Sequence, residues 1–213
     1  ELIVDSFRCK PKDAVKLTEL CIEKTQGNPF FLNQFLTTLY ENGDIDYSRS
    51  RGAWDWDISH IQGQDMTDNV VELMARKLRK LPLNTQQLLS LASHLGNRFS
   101  MHQLAIVYEQ DALITAKHLW PALKSNLIQP LDESYKFTQD IETVSQARYR
   151  FLHDRVQQAA YSLIEDKDRP PLELNIGRLL LQNTPSNDLD GQLFTILEPL
   201  NNARHLITEP VEK

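Results

Sequence analysis

The 213-residue chain sets 23 lysines and arginines against 29 aspartates and glutamates, for a formal charge of −6 at pH 7. Hydrophobic residues at 41% and charged residues at 24% are ordinary for a folded domain, which excludes disordered, collagen-like and coiled-coil classes. Apolar runs such as Leu179-Leu180-Leu181 fall far short of the roughly 20 residues that cross a membrane, and no basic-then-apolar leader opens the sequence.

The spacing of Ala14, Leu17, Leu20 and Cys21 predicts an amphipathic helix over 13–25, preceded by Pro11 and N-capped by Asp13. Gly27 is expected to end it, since glycine enters the left-handed region without a Cβ penalty. Asn28 then caps a second helix with Pro29 in its first turn, where a missing N–H costs nothing. Phe30, Phe31, Phe35, Leu36 and Leu39 make this helix strongly apolar, and it stops at Asn42-Gly43. Alternation in 44–47 and 53–58 around the Ser-Arg-Ser-Arg-Gly turn reads as a β-hairpin, its tryptophans docked on the helices.

A polar stretch, 60–66, leads to a helix capped by Thr67 or Asp68 and running to Leu81, with Val70, Val71, Met74, Leu78 and Leu81 on its apolar stripe. Arg76, Lys77, Arg79 and Lys80 form its solvated face, and Pro82 stops it. Further helices are expected over 84–95, closed by Gly96, then after a Ser100 cap, then from Asp111 to Asn126. In the last of these Leu119, Trp120 and Leu123 read as core, and Pro121 kinks or splits it. Strands are expected at 127–131, 135–138 and 147–151, separated by polar turns. Three helices followed by a β wing is the order of a winged-helix domain. Helices over 154–164, 172–181 and 189–206 complete the chain, and the last pair has the form of the start of a helical solenoid.

The usual signatures of catalysis are missing. The seven glycines are scattered, none leads into Gly-Lys, and there is no Gly-x-Gly-x-x-Gly, Cys-x-x-Cys or His-Glu-x-x-His. The six histidines lie far apart, so no spacing predicts a metal site. Asp44/Asp46 and Asp55/Asp57 read as solvated turn carboxylates. His153, Asp154 and Ser162 share one helix without a positioned third partner, which is no catalytic triad. Two cysteines, Cys9 and Cys21, imply no disulfide framework, so a cytoplasmic location is expected.

Several phrases in series carry a family likeness: Lys24-Thr25-Gln26-Gly27-Asn28-Pro29-Phe30-Phe31, Trp54-Asp55-Trp56-Asp57-Ile58, Asp68-Asn69-Val70-Val71-Glu72-Leu73-Met74, and Phe151-Leu152-His153-Asp154-Arg155-Val156 running on through Gln157-Gln158-Ala159-Ala160-Tyr161. Together they resemble the AAA/STAND-type ATPase region of large bacterial signalling proteins. In those proteins a serine/threonine-kinase-like domain precedes the ATPase region, and helical repeats, a GAF domain and a histidine kinase follow. The resemblance implies a nucleotide-binding core with a P-loop, then a helical lid, a winged helix and superhelical repeats. Without Walker motifs nothing here would hold phosphates or Mg²⁺, so this chain is expected to start after that core and to be no enzyme itself.

The resemblance thus implies a mainly α fold: a lid-like subdomain with a hairpin over 1–62, a winged helix over 63–166 and the start of the repeats over 167–213. No cofactor is expected in this chain, and ATP or ADP with Mg²⁺ in the parent. Partners are the upstream nucleotide-binding core and the downstream repeat and kinase domains of the same chain, with no membrane. Gly27-Asn28-Pro29 resembles the Gly-x-Pro of STAND lids, where the proline packs near adenine; the same residues also fit an ordinary helix junction. Leu152-His153-Asp154 resembles the Met-His-Asp motif whose histidine senses a diphosphate; Asp154 as a plain N-cap is the competing reading.

The function that the resemblance implies is a non-catalytic regulatory module coupling nucleotide state to a kinase or histidine-kinase output in two-component-type signal transduction, and two other functions stay open at this level. A DNA-binding winged helix would read with 111–126, but Lys117, His118 and Lys124 make a poor basic stripe and the net charge is wrong for nucleic acid. An interaction scaffold would use Trp54 and Trp56 on the hairpin, or an exposed face of the C-terminal helices that could form a homodimer.

Overall fold

The computed structural model describes residues 2–63, 70–134 and 141–207. The expected Thr67 or Asp68 cap and the strand at 135–138 lie outside them. The fold is mainly α with two small antiparallel sheets. It divides into two compact units, Glu1–Leu73 and Met74–Lys213.

In the first unit, α1 (Leu2–Phe7), α2 (Pro11–Thr25) and α3 (Pro29–Glu41) precede a hairpin of β1 (Ile45–Ser48) and β2 (Ala53–Trp56), then α4 (Ile58–Gly63). Leu17 and Leu20 of α2, Phe35 and Leu39 of α3, Ile45 and Ile61 form its buried core. Three local expectations change here. Lys10, without a side-chain bond, occupies the N-cap of α2, because Pro11 already takes the first helical position; Asp13 sits inside the first turn. The helix ends at Thr25 as expected, but Gln26 (φ 53°) as well as Gly27 (φ 74°) is left-handed, so Gln26 rather than Gly27 is its C-cap. Finally, Ile58 leaves the strand to start α4, whose first turn is secured by Asp57 Oδ1 accepting from the His60 N–H at 3.1 Å. A short helix thus replaces part of the expected polar stretch, because burying Ile61 repays the ordering of one turn.

The division falls within α5 (Val70–Arg79); in the second unit α5 is followed by α6 (Leu83–Leu95), β3 (Arg98–Ser100), α7 (Met101–Tyr108) and α8 (Ala112–Lys124). Then come β4 (Ile128–Pro130), α9 (Ile141–Gln146), β5 (Arg148–Phe151) and α10 (Asp154–Tyr161). α6 is the central helix: every residue from Leu88 to Leu95 is buried. Ser100 caps α7 reciprocally with Gln103, and Asp111 Oδ1 caps α8 by accepting from the Ile114 N–H at 2.8 Å.

β5 lies between β3 and β4, pairing Phe99 with Tyr149 and Ile128 with Phe151. Arg98-Phe99-Ser100 was not legible as a strand, being three residues long and identified only by its partner. Ile141–Gln146 is a helix rather than a turn, held by Val144, which is 1% exposed. α8 runs on through Pro121 without splitting. Trp120 is 45% exposed rather than core; the buried face of α8 is Ala112, Thr115, Leu119 and Ala122.

α11 (Arg169–Asn183) and α12 (Leu189–Asn202), with a 3-10 turn at Arg204–Leu206, close the unit. They pack so tightly that a Cβ on Gly177 would lie 2.5 Å from Leu200 Cγ. Gln103 of α7 donates to Gln192 of α12 at 3.2 Å, tying the pair to the rest of the unit. On its other side α12 exposes Leu193, Phe194 (84%) and Leu197.

Candidate functional site

At the α2–α3 junction, Asn28 Oδ1 accepts from the N–H groups of Phe30 (3.0 Å) and Phe31 (3.3 Å), and the Leu32 N–H bonds the Asn28 carbonyl at 2.9 Å. Pro29 has no N–H. The first turn of α3 is therefore closed by its own cap. What the motif does offer is the exposed ring of Pro29. That ring lines an apolar groove of about 520 Å³ with Phe7, Leu32, Leu36, Tyr40 and Trp54.

Trp54 and Trp56 belong to the wall of this unit. Both are half-buried; Phe7 meets Trp54 edge-on at 5.2 Å between centroids, and Trp56 at 5.6 Å. Tyr40 and Tyr47 also meet Trp54 edge-on, at 5.8 and 5.5 Å. Asp44 is buried, not a solvated turn residue: its Oδ1 lies 3.4 Å from His60 Nε2.

In the second unit β5 delivers His153 directly to the start of α10. The Phe151 N–H bonds the Asn97 carbonyl and the Leu152 N–H bonds the Leu127 carbonyl, both at 3.0 Å. His153, not Asp154, is the N-cap: its Nδ1 accepts from the Arg155 N–H at 3.2 Å. The extended φ of −153° at His153 aims the ring back over the first turn, a placement that sequence alone assigned to the better-known capper beside it. An accepting Nδ1 leaves the neutral ring's proton on Nε2, which makes that nitrogen a donor. Asp154 accepts instead from Asn97 Nδ2 at 3.1 Å, pinning α10 to the segment that enters β3.

Sequence reasoning missed a buried polar cluster that joins four helices. His94 (α6) and Glu173 (α11) have side chains only 1% and 6% exposed, with Nε2 and Oε1 3.9 Å apart. The His94 Nδ1–H donates to the Ser90 carbonyl at 2.9 Å. Tyr161 of α10 and Asn202 of α12 both donate to Glu173 Oε1, each at 3.2 Å. The Tyr161 ring packs on His94 at 4.6 Å between centroids and carries Arg169 4.5 Å above it. Burial pushes the His94 imidazole below its ordinary value, and repulsion from Arg169 adds to this; the Ser90 bond and the Glu173 charge oppose it. Burial first, then the Glu173 charge and hydrogen bond, push the Tyr161 phenol up. The signal in the sequence was Glu173 itself, one carboxylate set between the apolar Leu172 and Leu174.

Among the described residues no group of three His, Cys, Asp or Glu converges as metal ligands, and no helix is long and apolar enough to cross a membrane. Cys9 and Cys21 are free thiols.

No family model matches the chain, and no solved structure matches it. The chain is similar to hybrid signal transduction histidine kinase G of Dictyostelium discoideum, 32% identical over 204 residues. The match covers 84% of this chain but only 6% of the relative. The likeness therefore concerns one segment of a much larger protein.

Proposed function

We propose that this chain is a non-catalytic regulatory module of a larger signal-transduction protein, relaying nucleotide state between domains. The observation that carries the reading is the order of the second unit from α6 onward: helix, strand, two helices, strand, the short helix α9, strand, with β5 between β3 and β4. That order supports a winged-helix reading, with α9 set between the last two strands, in a chain similar to a histidine kinase of the hybrid signal transduction class. In this reading the first unit is lid-like, and α11–α12 begin the repeats that pass the movement onward.

The residues fit peripheral contacts to a nucleotide rather than a binding core. The Pro29 ring suits an adenine face, and the Nε2 donor of His153 suits a diphosphate. The sequence carries no P-loop motif, so in this reading ATP or ADP with Mg²⁺ is held elsewhere in the complete protein. The upstream core and the downstream repeat and kinase domains are its partners, in the cytoplasm, and the exposed Leu193, Phe194 and Leu197 offer a face for self-association.

Titration calorimetry of the isolated chain with ATP and ADP is expected to show no micromolar binding, and a phosphate-release assay no hydrolysis. Micromolar binding or turnover by this chain alone ends the proposal. The DNA-binding alternative has less support, because α8 presents Ile114 and Trp120 to solvent beside Lys117 and Lys124 rather than a basic stripe.

A further inference from the structure

The sheet of the second unit has one buried and one open face. Phe99, Tyr149, Phe151 and Ile128 point inward and are buried. By the two-residue alternation of strands, Arg98, Ser100, Gln129, Arg148 and Arg150 share the other face. The register sets Arg98 directly opposite Arg150, with Gln129 opposite Arg150 on its other side. With the Gln129 carboxamide turned to the orientation that satisfies its neighbours, its oxygen accepts from Arg150 Nη2 at 2.7 Å and Nε at 2.8 Å, which holds that guanidinium in place. Arg148 Nε lies 3.4 Å from Asp132 Oδ2. Among the described residues no carboxylate pairs with Arg98 or Arg150.

Like charges directly opposed on a sheet are destabilising, and here they stand in a chain whose net charge is negative. We propose that this arginine face is a docking surface for an acidic protein segment bound in extended form. The geometry selects that partner. Arg148 and Arg150 are two residues apart on one strand, a separation of about 6.6 Å. Alternate carboxylates of an extended peptide repeat at the same interval, so each guanidinium can be met through the N–H groups that Gln129 and Asp132 leave open. A long polyanion such as duplex DNA would instead extend past the patch and meet the chain's overall negative charge.

The test is fluorescence anisotropy with a labelled 12-residue peptide bearing glutamate at alternate positions. Wild-type chain is expected to bind it, and raising NaCl from 50 to 300 mM to weaken binding about tenfold or more. Arg98→Glu is expected to weaken binding at least tenfold while holding or raising the melting temperature, since the introduced carboxylate would lie opposite Arg150. That variant removes the site without threatening the fold. No binding by wild type, unchanged binding by Arg98→Glu, or tighter binding of a 16-base-pair duplex than of the peptide would each overturn the proposal.

Discussion

His94 Nε2 and Glu173 Oε1 lie 3.9 Å apart in the interior, the imidazole on α6 and the carboxylate on α11. The distance is too long for a hydrogen bond, yet both groups are shut away from water. Because burial depresses the imidazole from its ordinary 6.5, the unfolded chain binds the proton more readily than the folded one. The His94 contribution to stability is therefore complete above about pH 6.5 and is lost as the pH falls below it. Urea melts at pH 7.5, 6.0 and 5.0 should show the loss, and His94→Gln should flatten the wild-type slope across that window. A slope unchanged by the substitution would remove His94 from the account.

Glu173→Leu should destabilise the chain by about 1–3 kcal/mol, because it strands the Tyr161 hydroxyl and the Asn202 amide. Glu173→Gln keeps an acceptor oxygen and should cost less. The two variants, compared by chemical denaturation at pH 7.5, distinguish lost hydrogen bonds from lost volume.

Gly177→Ala should cost about 1–3 kcal/mol although glycine is a poor helix former, since the added Cβ meets Leu200 at 2.5 Å and the Ile196 carbonyl oxygen at 3.4 Å. Adding Leu200→Ala should recover part of the loss by opening the space. Thermal melts of the single and double variants form the cycle that checks it; no recovery in the pair would place the strain elsewhere.

Ser100→Ala should remove about 1 kcal/mol, because Ser100 Oγ accepts from the Gln103 N–H at 3.1 Å and Gln103 Oε1 accepts from the Ser100 N–H at 3.1 Å. Ser100→Asp, another strong capper, should lose less by urea titration.

Thiol labelling at pH 8 should modify Cys9 well before Cys21. The Cys21 thiol is 2% exposed and burial pushes it up to about 12, so its thiolate is scarce in the native state. Equal labelling rates without denaturant would show that α2 opens readily.

The caps at Asn28 and Ser100 were legible from sequence because a cap acts within three residues of itself. The hairpin was legible because alternation and a glycine turn are local. Met74 and Leu78, both fully buried, were placed on an apolar stripe by periodicity alone. Cap choice failed where two cappers adjoin, as at His153-Asp154, since backbone direction rather than residue type decides between them.

Sequence by itself determined the helical class, the hairpin and the absence of familiar catalytic motifs, all consequences of side-chain period and residue chemistry over short spans. Tertiary structure alone decided that Arg98–Ser100 is a strand, that Trp120 faces solvent, that Arg98 opposes Arg150 and that Glu173 reaches His94. Each of these depends on groups distant in the chain, whose pairing is set by burial and register rather than by neighbouring residues.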